Sequence, residues 1–171
     1  MIYLSLGSNL ESSFGNRYDN LNTTIELIEK EKIQILKASS FYETPSYPNK
    51  DFPPFINIVV EIEYNYTPQK LLKTLSIIEK KMGRKKKFKN DPRICDIDII
   101  DFNGLILKDK LLTLPHSRVN ERNFVLYPLI EICPFWINPS GNKKISILID
   151  NLTTKQRNEI TRMKESVIFN K

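Results

Sequence analysis

From Ile2 to Asp101 the spacing of apolar residues changes period in a fixed order, and that order restricts the fold more than any single residue does. Ile2 to Leu6 is a short apolar strand closed by the turn residues Gly7, Ser8 and Asn9. From about Asn16 to Lys30, Tyr18, Leu21, Ile25 and Ile28 recur at three and four, the stripe of an amphipathic helix. Ile33 to Thr44 reads as extended, and Pro45, Pro48, Pro53 and Pro54 make the next stretch a loop, because proline lacks an N–H and fixes its torsion. Ile56, Ile58, Val60, Ile62 and Tyr64 then alternate with more polar residues, which predicts a strand with one apolar face. Thr67 and Pro68 are an N-cap and first-turn pair, and the helix they open runs through Leu71, Leu75, Ile78 and Met82 to a stop at Gly83. A last strand follows from Ile94. Strand, helix, strand, strand, helix, strand predicts an α+β, ferredoxin-like antiparallel sheet, with helices on one face and a ligand cleft on the other. Beyond Gly104 the text is less regular. It predicts short edge strands at Leu105 to Leu107 and Leu111 to Leu114, partial helix over Asn120 to Ile132, and a helix from about Thr153 to Lys164.

The last strand is the unusual one. In Asp91 to Asp101 the residues alternate, so Asp96 and Asp98 share one face while Cys95, Ile97 and Ile99 share the other. Two positions along a strand rise roughly 6.6 Å, a spacing from which two carboxylates can converge on divalent cations about 3.5–4 Å apart. Polar alternation can also be simply the wet side of a half-buried strand. Asp, however, is depleted in strands, and two carboxylates on one face repel. Asp101 has the parity of the apolar face and reads as a strand-end residue before the turn at Phe102, Asn103 and Gly104.

Charge singles out the same place. Between Gly83 and Arg93 six basic residues stand against Asp91, so this stretch carries +5 of the chain's net charge of +6. Such a run is often a solvated loop, but here it feeds directly into the aspartate strand. Cations and carboxylates delivered to one point suit a polyphosphate bound with magnesium. The five glycines never come closer than eight residues, which excludes a Walker-type phosphate loop. Phosphates would fall instead to side chains, with Arg84, Arg93, His116, Arg118 and Arg122 as candidates. Cys95 and Cys133 lie in no CxxC pattern and His116 is the one histidine, which leaves too few soft ligands for structural zinc. A chain of 171 residues with 40% hydrophobic content predicts one globular domain over residues 1–171. No apolar run approaches a membrane span and no secretory signal opens the chain, so the expected location is cytoplasmic.

Five segments carry a resemblance: Tyr3 to Leu10, Ser39 to Pro45, Phe55 to Asn57, Pro92 to Ile100 and Leu114 to Ile132. In order and spacing they resemble the 6-hydroxymethyl-7,8-dihydropterin pyrophosphokinase family over roughly residues 1–141. The resemblance implies transfer of diphosphate from MgATP to the hydroxymethyl group of a reduced pterin, with release of AMP. It implies two magnesium ions on Asp96 and Asp98, with Arg84 and Arg93 as catalytic basic residues. Around ATP it places Glu79, Arg84, Arg93, Ile99, Thr113, His116 and Arg122. Around the pterin it places Gly7, Thr44, Pro45, Tyr47, Phe55, Asn57 and Phe124. Expected partners are these two small molecules, with neither nucleic acid nor membrane, and the expected state is a monomer. Three departures from some members stand out: Asn90 where an aromatic occurs, Leu111 where an Arg occurs, and Ser117 where a Tyr occurs. Phe88 is the residue expected to serve as the apolar lid in place of the missing aromatic. Two competing readings are an ordinary kinase moving one phosphoryl group and a single-stranded nucleic-acid module. Carboxylates on the open sheet face oppose the second, because they repel phosphates unless metals intervene.

Overall fold

The structure is a computed structural model that describes residues 1–83 and 91–169. The expectations for Arg84, Phe88 and Asn90 therefore lie outside the described residues. Strand β1 (Ile2–Ser8) leads to helix α1 (Arg17–Lys30), then to β2 (Gln34–Ala38), β3 (Tyr42–Thr44) and β4 (Phe55–Glu63). Helix α2 (Pro68–Lys81) and strand β5 (Asp96–Phe102) complete the repeat. All pairings are antiparallel: β4 lies between β1 and the β2 and β3 segments, and β5 forms the far edge beside β1. This is the ferredoxin-like arrangement that the order of periodicities predicts.

Both helices start where their caps are written. The Asn16 side chain accepts from the Tyr18 and Asp19 N–H groups and Asp19 returns a bond to Asn16 N–H, which satisfies donors that the first turn leaves free. Thr67 caps α2 ahead of Pro68, and Gly83 follows the helix at φ +86°, a conformation that disfavours any residue with a Cβ. Leu21, Ile25 and Ile28 of α1, with Leu71, Leu75 and Ile78 of α2, bury against Leu4, Leu6, Ile58, Val60, Ile97 and Ile99 of the sheet. Truncating any one of these leucines or isoleucines to Ala would cost about 2–5 kcal/mol.

The opposite face is half covered, and this corrects the expectation that β4 has a single apolar face. A second core joins Tyr3, Val59 and Ile100 to Val125, Leu126 and Leu129 of α3 (Asn123–Ile132), with Trp136 and Leu148 beyond. Because α3 lies across β4, Asn57, Val59 and Glu61 are buried as fully as the residues between them. Leu148 sits in α4 (Ile145–Asp150). The rest of this face, where the Gly7 end of β1 lies beside the Asp96 end of β5, is left for a cleft.

A β-bulge corrects the parity of Asp101. Leu4 pairs with Ile99 but Tyr3 pairs with Asp101, so Ile100 is the extra residue and both it and Asp101 fall on the α3 face. There Asp101 is buried, accepting from Trp136 Nε1 at 2.7 Å and from the Gly104 N–H at 2.8 Å.

The two short strands after Gly104, β6 (Leu107–Lys108) and β7 (Thr113–Leu114), pair with each other in a ladder of their own, and β8 (Ile137–Asn138) pairs likewise with β9 (Lys143–Lys144). The long helix expected over Thr153 to Lys164 is also corrected. Thr153 does cap a helix, but α5 is only Thr154–Asn158, with none of its residues buried. Without an apolar stripe it has nothing to pack. The chain instead adds β10 (Thr161–Arg162) to the edge of β3, where Met163 N–H also reaches the Phe41 carbonyl at 2.8 Å.

Candidate active site

Register builds the site. On the face away from α1 and α2, Asn57, Gly7 and Asp96 stand side by side on β4, β1 and β5, and Val59, Ser5 and Asp98 form the next row. Gly7 has a steric reason to be glycine: a Cβ there would lie 3.2 Å from Asn57 Oδ1 and 3.5 Å from the Phe55 ring. The strand alternation places Asp96 and Asp98 as expected, their side chains 27% and 33% exposed toward the open half of the face.

Each carboxylate is met by a guanidinium. Arg93 Nη1 donates to Asp96 Oδ2 at 2.9 Å, and Arg122 Nη1 donates to Asp98 Oδ2 at 2.5 Å. Both arginines also sit over aromatic rings, Arg93 5.7 Å from the centre of Phe55 and Arg122 5.3 Å from that of Phe124. Among the described residues the buried Nε of Arg93 has no acceptor. His116 Nε2 lies 3.7 Å from Asp98 Oδ2, and its Nδ1 accepts from the Arg118 N–H at 3.1 Å. That bond leaves the proton of a neutral imidazole on Nε2, facing the carboxylate. Burial pushes the imidazole below its usual value and Arg122 and Arg118 act the same way, while Asp98 opposes them. Arg118 itself turns outward toward Glu121 at 3.7 Å.

The other end of the cleft is neutral. Asn57, 4% exposed, donates through Nδ2 to Thr44 Oγ1 at 3.0 Å and to the Tyr42 carbonyl at 3.4 Å. Phe55 and Phe124 are half-buried at the cleft, whereas Pro45 and Tyr47 are exposed on the loop that joins β3 to β4. Thr113 and His116 line a pocket of about 210 Å³ together with Lys108, Leu114, Asn120 and Asn138. Two further positions are placed differently from a direct contact. Glu79 is buried on α2 and accepts from the Ile97 N–H at 2.9 Å, while Ile99 turns its side chain into the helix-side core and leaves only main chain near the cleft.

The donor set fits magnesium. Asp96 and Asp98 are hard oxygen donors on a partly open face, and among the described residues no group of three or more histidine, cysteine or acidic side chains is suited to hold a metal. One or two carboxylates completed by substrate phosphates and water is a usual magnesium arrangement. Among the described residues no helix is long and apolar enough to cross a membrane.

Sequence reasoning passed over several residues that shape the site. Arg17 Nη1 donates to the Pro54 carbonyl at 2.6 Å and pairs with Glu43 at 3.1 Å, holding the base of the β3–β4 loop. Ser46 of the same loop and Asn9, which donates to it, are both buried. Asn9 reads locally as a turn residue after Gly7 and Ser8, and nothing local pointed to Ser46 or Arg17.

The known proteins that this chain resembles point to one family. The model of the 7,8-dihydro-6-hydroxymethylpterin-pyrophosphokinase family matches residues 3–134. A 2-amino-4-hydroxy-6-hydroxymethyldihydropteridine pyrophosphokinase of Aquifex aeolicus is 37% identical over 84% of this chain and 87% of that protein. The folic acid synthesis protein fol1 of Schizosaccharomyces pombe is 34% identical over 90% of this chain, which spans only 20% of that protein's length. The fol1 relatives of Pneumocystis carinii and Dictyostelium discoideum are likewise matched over 20% of their length. In fold, the chain is similar to the crystal structure of wild-type Plasmodium falciparum HPPK-DHPS with pteroate, with a TM-score of 0.70 at 17% identity over 94% of this chain and 47% of that one.

Proposed function

The chain belongs to the 7,8-dihydro-6-hydroxymethylpterin-pyrophosphokinase family, and from that premise we propose that it transfers diphosphate from MgATP to the hydroxymethyl group of 6-hydroxymethyl-7,8-dihydropterin, releasing AMP, as a step of folate biosynthesis. The observation that carries the reading is the row Asn57, Gly7, Asp96. An amide whose Oδ1 can accept from the donors along a pterin edge, while its two N–H groups are held by Thr44 and Tyr42, stands two strand spacings, roughly 9.5 Å, from a metal-binding carboxylate. A flat bicyclic ring can be held at one end and react at the other.

Asn57, already fixed by Thr44 and the Tyr42 carbonyl, orients the pterin edge, and Phe55 and Phe124 offer ring faces for stacking. Gly7 keeps the floor of this half flat. Asp96 and Asp98 would hold two magnesium ions, which supply charge neutralisation of the triphosphate and polarisation of its β-phosphorus. Arg93 and Arg122 exchange their carboxylate partners for phosphate oxygens, with charge-assisted bonds of the same kind. The neutral His116 can donate from Nε2 to a phosphate oxygen. The substrate hydroxyl oxygen attacks the β-phosphorus, the bond from that phosphorus to the oxygen bridging to the α-phosphate breaks, and AMP leaves with the bonding electrons. The hydroxyl proton passes to solvent, and no covalent enzyme intermediate is needed.

Product identity tests the reading. Incubation with MgATP and the pterin should yield AMP and a pterin diphosphate in equal amounts. ADP would establish an ordinary kinase, and turnover of neither substrate would overturn the catalytic reading.

A further inference from the structure

Asn9 stands just past β1, 1% exposed, and every polar atom of its side chain is engaged with a different segment of chain. Its Nδ2 donates to Ser46 Oγ and to the Pro53 carbonyl, each at 3.1 Å. Its Oδ1 accepts from the Arg93 N–H at 2.7 Å, and its own N–H donates to the Arg93 carbonyl at 3.1 Å. Ser46 Oγ closes the arrangement by donating to the same Pro53 carbonyl at 2.6 Å.

These partners belong to opposite halves of the site. Ser46 and Pro53 lie near the two ends of the loop between β3 and β4, which presents Pro45 and Tyr47 and leads into Phe55. Arg93 carries the guanidinium that holds Asp96 and covers the Phe55 ring. One amide therefore joins the pterin-side loop to the base of the phosphate-side arginine. A buried donor or acceptor left without its partner is costly, so the two segments cannot shift independently without breaking this set.

We propose that Asn9 is a positioning residue that locks the β3–β4 loop and Arg93 into one unit, setting the placement of the acceptor pterin relative to the phosphate half without touching either substrate. The inference rests on the pyrophosphokinase reading above and adds to it a residue outside both substrate sites. It differs from a purely structural role for a buried asparagine in what its loss should change. A structural role predicts a lower melting temperature and an unaltered active site in the protein that remains folded.

The test compares Asn9→Ala and Ser46→Ala with the unaltered chain, well below each protein's melting temperature, by steady-state assay of AMP and by calorimetric titration of the pterin and of a non-hydrolysable ATP analogue with magnesium. Misplacement by about 1 Å can cost on the order of a hundredfold in rate, so Asn9→Ala should lower kcat by about that factor. Ser46→Ala cuts only the loop arm and should weaken pterin binding several-fold while kcat and analogue affinity change less. Folded Asn9→Ala with unaltered kcat would overturn the proposal. If Asn9→Ala does not fold, Ser46→Ala decides, and unchanged pterin affinity there overturns it. A wild-type chain that releases no AMP would remove the activity itself, whereas normal wild-type turnover with unaltered variants removes only the role of Asn9.

Discussion

The two halves of the cleft are held together by opposite kinds of force. In the phosphate half, Asp96, Asp98, Arg93 and Arg122 cancel in charge, and their side chains are 17–33% exposed. In the pterin half, Asn57 and Thr44 are buried, neutral and hydrogen-bonded to each other and to main chain. Ion pairs with access to water contribute little net stability and exchange partners readily. A buried neutral network is costly to disturb and hardly responds to salt. On the proposed function, the difference suggests how one small domain would take two unlike substrates: the pterin half would be formed in advance, and the phosphate half would trade internal partners for those the nucleotide and its metal bring.

The harshest way to break that contrast is to remove a carboxylate. Asp98→Ala or Asp96→Ala should leave the fold largely intact, because each takes away a partly exposed ion pair and neither residue belongs to a hydrophobic core cluster. If a metal contact supplies about 4 kcal/mol to the transition state, turnover should fall about a thousandfold. Circular dichroism and a steady-state AMP assay check both parts. A variant with near-normal turnover would mean that these carboxylates are only the wet side of a strand.

Gly7→Ala strikes the pterin half from beneath. Its Cβ would press on Asn57 Oδ1 at 3.2 Å, and Asn57 is held by Thr44 and Tyr42 so that it has little room to give. Overpacking of this kind costs about 1–3 kcal/mol. Placed on the pocket, the middle of that range weakens pterin binding roughly thirtyfold. Calorimetry with the ATP analogue should show almost no change. Equal losses for both ligands would show that the halves are not separable.

Phe124→Ala sharpens the contrast further. A stacking contact of about 1.4 kcal/mol is one decade in affinity, so pterin binding should weaken roughly tenfold. ATP-analogue binding should change little, even though Arg122 rests on this ring at 5.3 Å, because the charge-assisted bonds of the guanidinium, to Asp98 without ligand and to phosphate with it, do not involve the ring. Unchanged pterin affinity would assign Phe124 to packing alone.

How much of this was legible in the chain follows from how local each signal is. The cap at Thr67, the helical stripes and the strand alternation through Asp96 and Asp98 depend on neighbours within a few residues, and they stand where the sequence puts them. The bulge at Ile100 could not be read, because only the register against Tyr3 and Leu4 reveals it, and it reverses the face of Asp101. Nor could the burial of Glu61 and Asn57, since the alternation of β4 says nothing of α3 arriving from about seventy residues further along the chain to cover the second face. Asn9 and Arg93 are 84 positions apart, so their bond leaves no trace in any window of sequence. Most pocket residues entered through resemblance to a family and not through pattern. Glu79 and Ile99 came by the same route, and resemblance alone could not tell that the Glu79 carboxylate meets the Ile97 N–H or that the Ile99 side chain enters the helix-side core.

The smallest effect isolates the neutral half by its response to alkali. Tyr42 belongs to that half: its carbonyl accepts from Asn57, and its hydroxyl donates to Glu131 Oε2 at 2.9 Å. Burial first, then the hydrogen bond and charge of Glu131, push this phenol from 10.0 up to about 12. The folded protein therefore holds the proton more tightly than the unfolded chain does. Between pH 10 and about 12 the folded state binds more protons, so this contribution is complete below pH 10 and is lost as pH rises through about 12. Other tyrosines share the direction, Tyr18 and Tyr64 among them, so the absolute slope of stability with pH is not diagnostic. The difference from Tyr42→Phe is. Removing the hydroxyl leaves the ring and the backbone bond to Asn57 in place, so urea midpoints of the variant should fall less steeply over this window than those of the wild type. Pterin affinity at neutral pH should be the same in both, because the pocket uses the Tyr42 carbonyl and not its phenol. Parallel slopes would mean that neither burial nor Glu131 holds the proton on the phenol, and a weakened pterin site would show that the neutral half depends on Glu131 as well as on its own internal bonds.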